Sequence, residues 1–358
     1  MAKILVGMSG GVDSSVAAGL LCEQGHEVEG AYLKNWINEE KIAGHCPWEE
    51  DIEDARAAAA ALGLPFQVVN MMQDYRERVV NYLLAGYESG VTPNPDVMCN
   101  REMKFGLFRQ WALARGFEGV ATGHYARLCR HQGGFEVRRG ADPHKDQSYF
   151  LALVREEQFR DAWFPLGELH KPEVRAEAER LGLPNARKKD SQGICFIGEV
   201  RMSDFLRNYV PDRPGKIVTI QGQEVGEHPG LHLFTLGQRK GIRVPSNRDQ
   251  MAYVVVGKNG QRNELVIGFD EPSTPGLYAR ECLLTGFSWA GPSLALGRHR
   301  LRAQPRYRNP APEATLELEG DRGVLRYREP QRALTPGQIC ALYEGDRLLG
   351  GATFAEIR

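Results

Sequence analysis

Apolar positions along the first 200 residues switch repeatedly between two periods. Short apolar runs, of which Ile4-Leu5-Val6 is the first, predict strands at Lys3–Gly7, Glu27–Leu33, Pro65–Asn70 and Gly119–Thr122. Between them, apolar residues recur at helical spacing over Asp13–Gln24, Trp48–Leu62, Met72–Glu88 and Arg101–Arg115. This alternation implies an α/β unit, a doubly wound parallel sheet with helices on both faces. Ligands of such a sheet sit beyond the carboxyl ends of its strands, where strand order reverses. The pattern changes near Asp204. Gly and Pro become frequent, and short strands read at Lys216–Ile220, His232–Leu236, Ala252–Val256 and Glu264–Gly268. Pro272 and Pro275 mark a second boundary. Beyond it, strands at regular spacing, such as "ATLELEG" (314–320) and "GVLRYRE" (323–329), predict a β-barrel. The expected division is an α/β domain over 1–203, a small β-rich domain over 204–272 and a C-terminal β-barrel over 273–358.

Composition narrows the classes. The net charge of −1 means that contact with a polyanion must come from a local basic patch. No uninterrupted run of ~18 apolar residues exists, so no membrane span is expected. The N-terminus reads as a strand and not as a signal peptide, which predicts a cytoplasmic protein. The seven cysteines are odd in number, far apart and never spaced Cys-x-x-Cys, against a zinc ribbon or a sulfur-ligated cluster. Cys22, Cys129, Cys282 and Cys340 read as core residues. Cys46, in "AGHCPWEED", reads as a loop residue and a weak redox candidate. His228 and His232 are four apart, but Pro229-Gly230 breaks any helix between them, so no metal site is expected.

The first strand runs directly into Ser9-Gly10-Gly11-Val12-Asp13-Ser14-Ser15. A strand, a glycine turn and a helix present unpaired N–H groups and a positive helix end, which suit a phosphate. The bland alternative is a tight turn with serine capping the helix. Neither Gly-x-x-x-x-Gly-Lys-[Ser/Thr] nor Gly-x-Gly-x-x-Gly occurs here, which sets aside two common nucleotide loops. Asp13 either favours Mg²⁺ bridging phosphates or caps the helix.

The turn resembles the pyrophosphate loop of the N-type ATP pyrophosphatases, which transfer AMP to a carbonyl oxygen. Four segments extend the resemblance over the whole chain: "TPNPDVMCNREMKFG" (92–106), "ATGHYAR" (121–127), "KDQSYFL" (145–151) and "KKDSQGICFIGE" (188–199), with "LGQRKG" (236–241) as a fifth. Together these are similar to the bacterial tRNA-specific 2-thiouridylases within that superfamily. The resemblance implies that the O2 of a wobble uridine (position 34) is adenylated and then replaced by sulfur. Cys195 would carry the persulfide and Cys99 would be its partner nucleophile, the two forming a disulfide as sulfur leaves. Asp96 would be the general acid/base. ATP would be held by Gly7, Met8, Ser9, Gly10, Gly11, Val12, Asp13 and Ser14, with Leu33 and Gly123. Leu33 replaces the family's commoner methionine with an apolar residue of similar size. Pro93 and Pro95 are read as keeping their segment extended and outside a helix. Arg101 starts the next helical pattern, so Cys99 is expected near a helix N-terminus, which favours thiolate.

The implied substrate is tRNA, the Lys, Glu and Gln isoacceptors by resemblance. The target base lies in a loop, where extrusion costs less than from a duplex. Asn94, Pro95 and Asp96 would contact the base, His124 would lie near the RNA, and Lys145, Asp146, Gln147, Arg306, Tyr307 and Gln338 would bind tRNA. Gln238, Arg239 and Lys240 are weaker candidates. Arg298, Arg300 and Arg302 alternate along a strand, either as a phosphate-binding stripe or as a solvated charged face. Trp36, Trp48 and Trp111 read as core or interface residues. The other implied participants are Mg²⁺ with the ATP, no tightly bound metal or cluster, and a sulfur-donor protein, either a persulfide relay or a cysteine desulfurase. Two rival readings are an amide-forming adenylating ligase and a non-catalytic RNA-binding protein.

Overall fold

A computed structural model describes residues 1–37, 48–189, 200–246, 248 and 250–358. Cys46 and Cys195 lie outside the described residues.

The first strands in chain order are β1 (Lys3–Gly7), β2 (Glu27–Lys34), β3 (Phe66–Asn70), β4 (Gly119–Ala121), β5 (Ala126–His131), β6 (Gly134–Arg139) and β7 (Ala162–Trp163). Five of them form a sheet in the order β3-β2-β1-β4-β7, and its pairings are parallel. The Ile4-Leu5-Val6 run is apolar throughout because β1 is the central strand and both its faces are covered. Leu5 packs in the core with Val79, Leu83, Phe105 and Phe108. Ile4 and Val6 pack in the opposite core with Val16, Ala17, Ile52 and Ala55. The helices supplying these faces are α1 (Val12–Glu23), α2 (Trp48–Ala61), α3 over 72–88 and α4 over 95–113. The middle turns of α3 and α4 have π geometry, at Arg76–Val80 and Cys99–Phe108. Strand order reverses between β1 and β4, so the crevice lies beyond Gly7 and Ala121. Another helix, α5 (Lys171–Arg180), packs against α1.

The antiparallel hairpin β5–β6 is absent from the sequence expectation. It leaves the parallel sheet and joins a distant one. The central strands are β8 (Gly215–Thr219), β9 (Glu224–His228), β10 (Tyr253–Asn259) and β11 (Glu264–Phe269), in the order β10-β11-β8-β9. The expected strand at His232–Leu236 is not one. Leu231–Leu233 forms a 3₁₀ turn after Pro229-Gly230, and Phe234 reaches the small core without sheet pairing.

The C-terminal strands are β12 (Tyr278–Trp289), β13 (Gly297–Gln304), β14 (Glu313–Glu319), β15 (Arg322–Arg332), β16 (Ile339–Glu344) and β17 (Arg347–Ile357). They run in the order β12-β15-β14-β13-β16-β17, and pairing of β12 with β17 closes the barrel. Period-two alternation sends Leu284, Leu301, Leu316, Leu325 and Phe354 inward. Cys282 and Cys340 are buried among them. Burial pushes both thiols up, Cys340 to about 12, as suits core residues. Strand β17 also pairs with β6, Leu348 opposite Val137, so the hairpin ties the barrel to the α/β unit.

Candidate active site

The glycine turn is built to leave backbone groups open. Gly11 is the N-cap of α1, and no side chain caps it. The N–H groups of the first turn therefore need an outside partner, and an anion fits. Gly10 has φ of +77°, and a Cβ there would sit 2.4 Å from the Asp51 carbonyl oxygen. Serine hydroxyls hold the turn from within. Ser9 N–H donates to Ser14 Oγ at 3.1 Å, and Ser15 Oγ donates to Gly11 O at 3.1 Å. Gly123, just past β4, presses on the start of α1, where a Cβ would lie 2.7 Å from Ser14 N. Met8, Val12 and Leu33 are buried. Leu33 Cδ1 and Phe108 of α4 flank Gly7, each 3.6 Å from the position of a Cβ there.

Asp13 does not cap α1. Its Oδ1 accepts from Tyr125 OH and from Lys171 Nζ, both at 2.8 Å. Three residues around the turn escaped the sequence reading. Lys171 stands at the start of α5. Lys188 pairs with Asp51 and Asp54 of α2 at 2.8 and 2.6 Å. Asn185 Nδ2 donates to Gly10 O at 3.0 Å. The one local signal was Lys171-Pro172, a proline in the first helical turn that fixes where the lysine sits.

The segment carrying Asp96 and Cys99 is helical earlier than expected. Helix α4 begins at Pro95 and not at Arg101, with Asn94 as N-cap accepting from Val97 N–H at 3.2 Å. Asn94 itself is extended, as a residue before proline should be, but Pro95 then starts the helix because its fixed φ suits the first position. Asp96 and Cys99 are three apart on this helix and so share a face. Asp96 is half-buried and Cys99 is fully buried. Asn100 Nδ2 donates to Phe150 O at 3.0 Å, which fixes α4 against the 145–151 segment. Cys195, the expected partner of Cys99, lies outside the described residues.

Several expected RNA contacts have protein partners. His124 is buried, with Nδ1 2.7 Å from Thr122 Oγ1 and its ring near Phe105 and Phe164. Burial first, and the Lys104 charge second, hold its pKa well below the ordinary 6.5, so the ring is neutral. The buried Asp146 carboxylate accepts from Arg139 at 2.7 Å, from Gly140 N–H at 3.0 Å and from Ser148. Gln147 Oε1 accepts from Tyr125 N–H at 3.1 Å, and Lys145 beside it is half-buried. Arg306 donates to Ala333 O and, at 2.7 Å, to Thr335 Oγ1, and burial lowers its pKa. Tyr307 packs on Phe150 with ring centroids 4.4 Å apart. Gln338 Nε2 donates to Thr92 O at 2.8 Å.

The arginine stripe is where the strand reading put it. Arg298, Arg300 and Arg302 are exposed on the outer face of β13, and none forms an ion pair with a described residue. Arg302 also lines an open cleft of about 330 Å³ with Arg139, His144, Tyr307, Arg308 and Asn309. Gln238 bonds Lys240 O, inside its own turn. Trp36 packs on Phe205, while Trp48 and Trp111 lie under Lys34 and Arg115. His228 faces Asn263 O and His232 faces Asp212, and among the described residues no group of three or more His, Cys, Asp or Glu could hold a metal.

Comparison with known proteins places the chain in a family. The sequence model of a family described as "tRNA methyl transferase HUP domain" matches residues 2–199. Residues 203–269 match a "tRNA methyl transferase PRC-barrel domain", and 279–354 an "Aminomethyltransferase beta-barrel domain". A tRNA-specific 2-thiouridylase MnmA from Akkermansia muciniphila is 58% identical over 358 residues, covering 100% of this chain and 99% of the relative. Relatives of the same name from Pseudomonas aeruginosa and Streptococcus sanguinis are 46% and 44% identical, each covering 98% of this chain and 93% and 94% of the relative. Among solved structures, a U34-tRNA thiolase from Methanococcus maripaludis aligns at TM-score 0.35 and 19% identity, over 59% of this chain and 67% of that one, a likeness too low to bear on the site. The chain belongs to the tRNA-specific 2-thiouridylase family.

Proposed function

We propose that this chain is an ATP-dependent tRNA-uridine 2-sulfurtransferase acting on the wobble uridine. The supporting observation is one of placement. The uncapped turn Gly7–Ser14 and the α4 helix, whose first turns carry Asp96 and Cys99 on one face, belong to one α/β unit, and Phe108 further along α4 lies beside Gly7 at the end of β1. A phosphate turn and a helix carrying a cysteine and a carboxylate on the same α/β unit suit activation of an oxygen followed by sulfur attack. It gives no reason for the methyl transfer in the description of the family model.

The uracil O2 is a poor leaving group. Its attack on the α-phosphorus of ATP forms an O–P bond and expels pyrophosphate. The open N–H groups of α1, with Lys171 nearby, stabilise the charge that develops on the phosphates. Asp96 moves the proton at the base. Sulfur then attacks C2, the C2–O bond breaks and AMP leaves. Thiolate attack of Cys99 on Sγ of Cys195 breaks the persulfide S–S bond, forms the Cys99–Cys195 disulfide and releases the terminal sulfur, as hydrosulfide or as the C2 thiocarbonyl. Both cysteines end oxidised, so a dithiol reductant resets the enzyme. A persulfide relay or a cysteine desulfurase reloads Cys195.

Asp13 already holds Lys171 and Tyr125, so the turn offers magnesium no ready carboxylate. Mg²⁺ enters this scheme with the phosphates of ATP. Residues 1–203 form the catalytic unit, 204–272 the linking domain and 273–358 the tRNA-contacting barrel. Lys145, Tyr307 and the cleft beside Arg302 face the RNA, and the Lys, Glu and Gln isoacceptors are the substrates. No described helix is long and apolar enough to cross a membrane, and the reducing cytoplasm is the compartment in which this thiol cycle runs.

Pyrophosphate release tests the first half-reaction. ATP with unmodified tRNA should give release that depends on the tRNA. Cys195→Ser should keep one turnover of release and tRNA binding within a few-fold, while losing thiolation. Absence of tRNA-dependent release would favour a non-catalytic RNA-binding protein.

A further inference from the structure

The loop Thr335–Ile339 of the barrel lies against the backbone that leads into the helix of Asp96 and Cys99. Gln338 Nε2 donates to two successive carbonyls, Thr92 O at 2.8 Å and Pro93 O at 3.3 Å. Thr92 N–H donates in return to Pro336 O at 2.9 Å. Gly337 has φ of +87°, and a Cβ there would lie 2.9 Å from Val91 Cβ and 3.0 Å from Thr92 N, so the two backbones are in direct contact. Tyr149 OH donates to Ile339 O at 2.9 Å. Asn94, the cap of α4, follows Pro93 directly.

The loop itself is held firmly. Gly337 N–H donates to Phe354 O, and Phe354 N–H to Gln338 O, both at 2.9 Å. Arg306 binds Thr335 Oγ1 and Ala333 O from the side. Thr92 Oγ1 also lies 3.3 Å from Thr235 Oγ1 of the central unit.

We infer that Gln338 is a positioning residue that fixes the Asn94-Pro95-Asp96 segment through the Thr92 and Pro93 carbonyls, so the barrel completes the active site as well as contacting RNA. This rests on the sulfurtransferase reading for the role of Asp96. An amide donor aimed at two successive carbonyls, together with the Thr92 N–H bond to Pro336 O, constrains the entry angle of the helix. Small errors in that angle displace Asp96 from the base, and misplacement of a reacting group by ~1 Å can cost ~100-fold in rate.

Gln338→Glu keeps the length but turns an acceptor toward two carbonyl oxygens, and Gln338→Met removes the donor without charge. Both should lower the single-turnover rate at saturating ATP and tRNA by about tenfold or more, with tRNA Kd within about threefold. Hydrogen exchange over residues 91–98 should accelerate in both variants, while exchange in the barrel strands stays as in wild type. A raised Kd with an unchanged saturated rate would make Gln338 an RNA contact only and overturn the inference. Unchanged exchange over 91–98 would overturn it as well. The exchange measurement needs no turnover, so a wild-type protein inactive in thiolation would count against the function reading and leave this one to be judged by exchange.

Discussion

Gly10 and Gly123 show at single-residue scale how the phosphate turn is shaped. Gly10 holds a left-handed backbone and would drive a Cβ into the Asp51 carbonyl, a main-chain atom that cannot rotate away. Gly10→Ala should cost roughly 2–4 kcal/mol, from backbone strain together with overpacking. It should also weaken ATP binding strongly, because α2 and the turn move apart. Denaturant unfolding and ATP titration check this, and an unchanged protein would mean that the turn is looser than its contacts imply. Asp96 and Cys99 pose a different problem. They share a face of α4, yet the thiol is fully buried and the carboxylate is not. A buried thiol is protected from adventitious oxidation. The cycle proposed for Cys99 therefore requires a path to open to it.

The elements hold charge-dependent stability in their buried histidines. His124, between β4 and the hairpin, is neutral because burial and, less, the Lys104 charge both disfavour its protonated form, and burial lowers His228 and His232 in the central unit in the same direction. An unfolded histidine takes up a proton near pH 6.5, while these take one up only at lower pH in the fold. Their contribution is therefore present above about pH 6.5 and drains as pH falls below it, at up to ~1.4 kcal/mol per pH unit for each group. Unfolding at pH 7.5 and 5.5 should show that loss, and His124→Gln should lessen it. An equal loss in the variant would exclude His124 as a source. The same scale explains what the sequence revealed. β1 and β2 were legible as short apolar runs because both their faces are covered, and α2 because it buries one face at the helical period. The start of α4 was missed because Pro95 was weighed as a breaker, whereas after Asn94 it is a first-turn residue. Hairpin β5–β6 escaped because its outer partner is β17, some 200 residues later. The protein contacts of Arg306 and Gln338 escaped for a related reason. Their partners are main-chain carbonyls, which leave no mark in the sequence.

Over the whole molecule, a chain of near-zero net charge must bind a polyanion through a local surface. Arg298, Arg300 and Arg302 supply one, since Glu313 and Glu317 on the neighbouring strand pair instead with Arg328 and Arg326. tRNA affinity should fall steeply with salt, and charge reversal at Arg298 and Arg302 should flatten the log–log slope by about two. A slope unchanged by the reversal would leave that face merely solvated. The barrel reaches the α/β unit at several points, among them β17 on β6, Gln338 on Thr92, Tyr149 on Ile339 and Tyr307 on Phe150, so the two units share one framework. Mass spectrometry of tRNA after incubation with ATP, magnesium, a sulfide source and enzyme tests the central claim most directly. Wild type should exchange one oxygen for sulfur at the wobble uridine, and the Cys99→Ser, Cys195→Ser double variant should leave the tRNA unmodified. Equal exchange by that double variant would contradict the two-cysteine account.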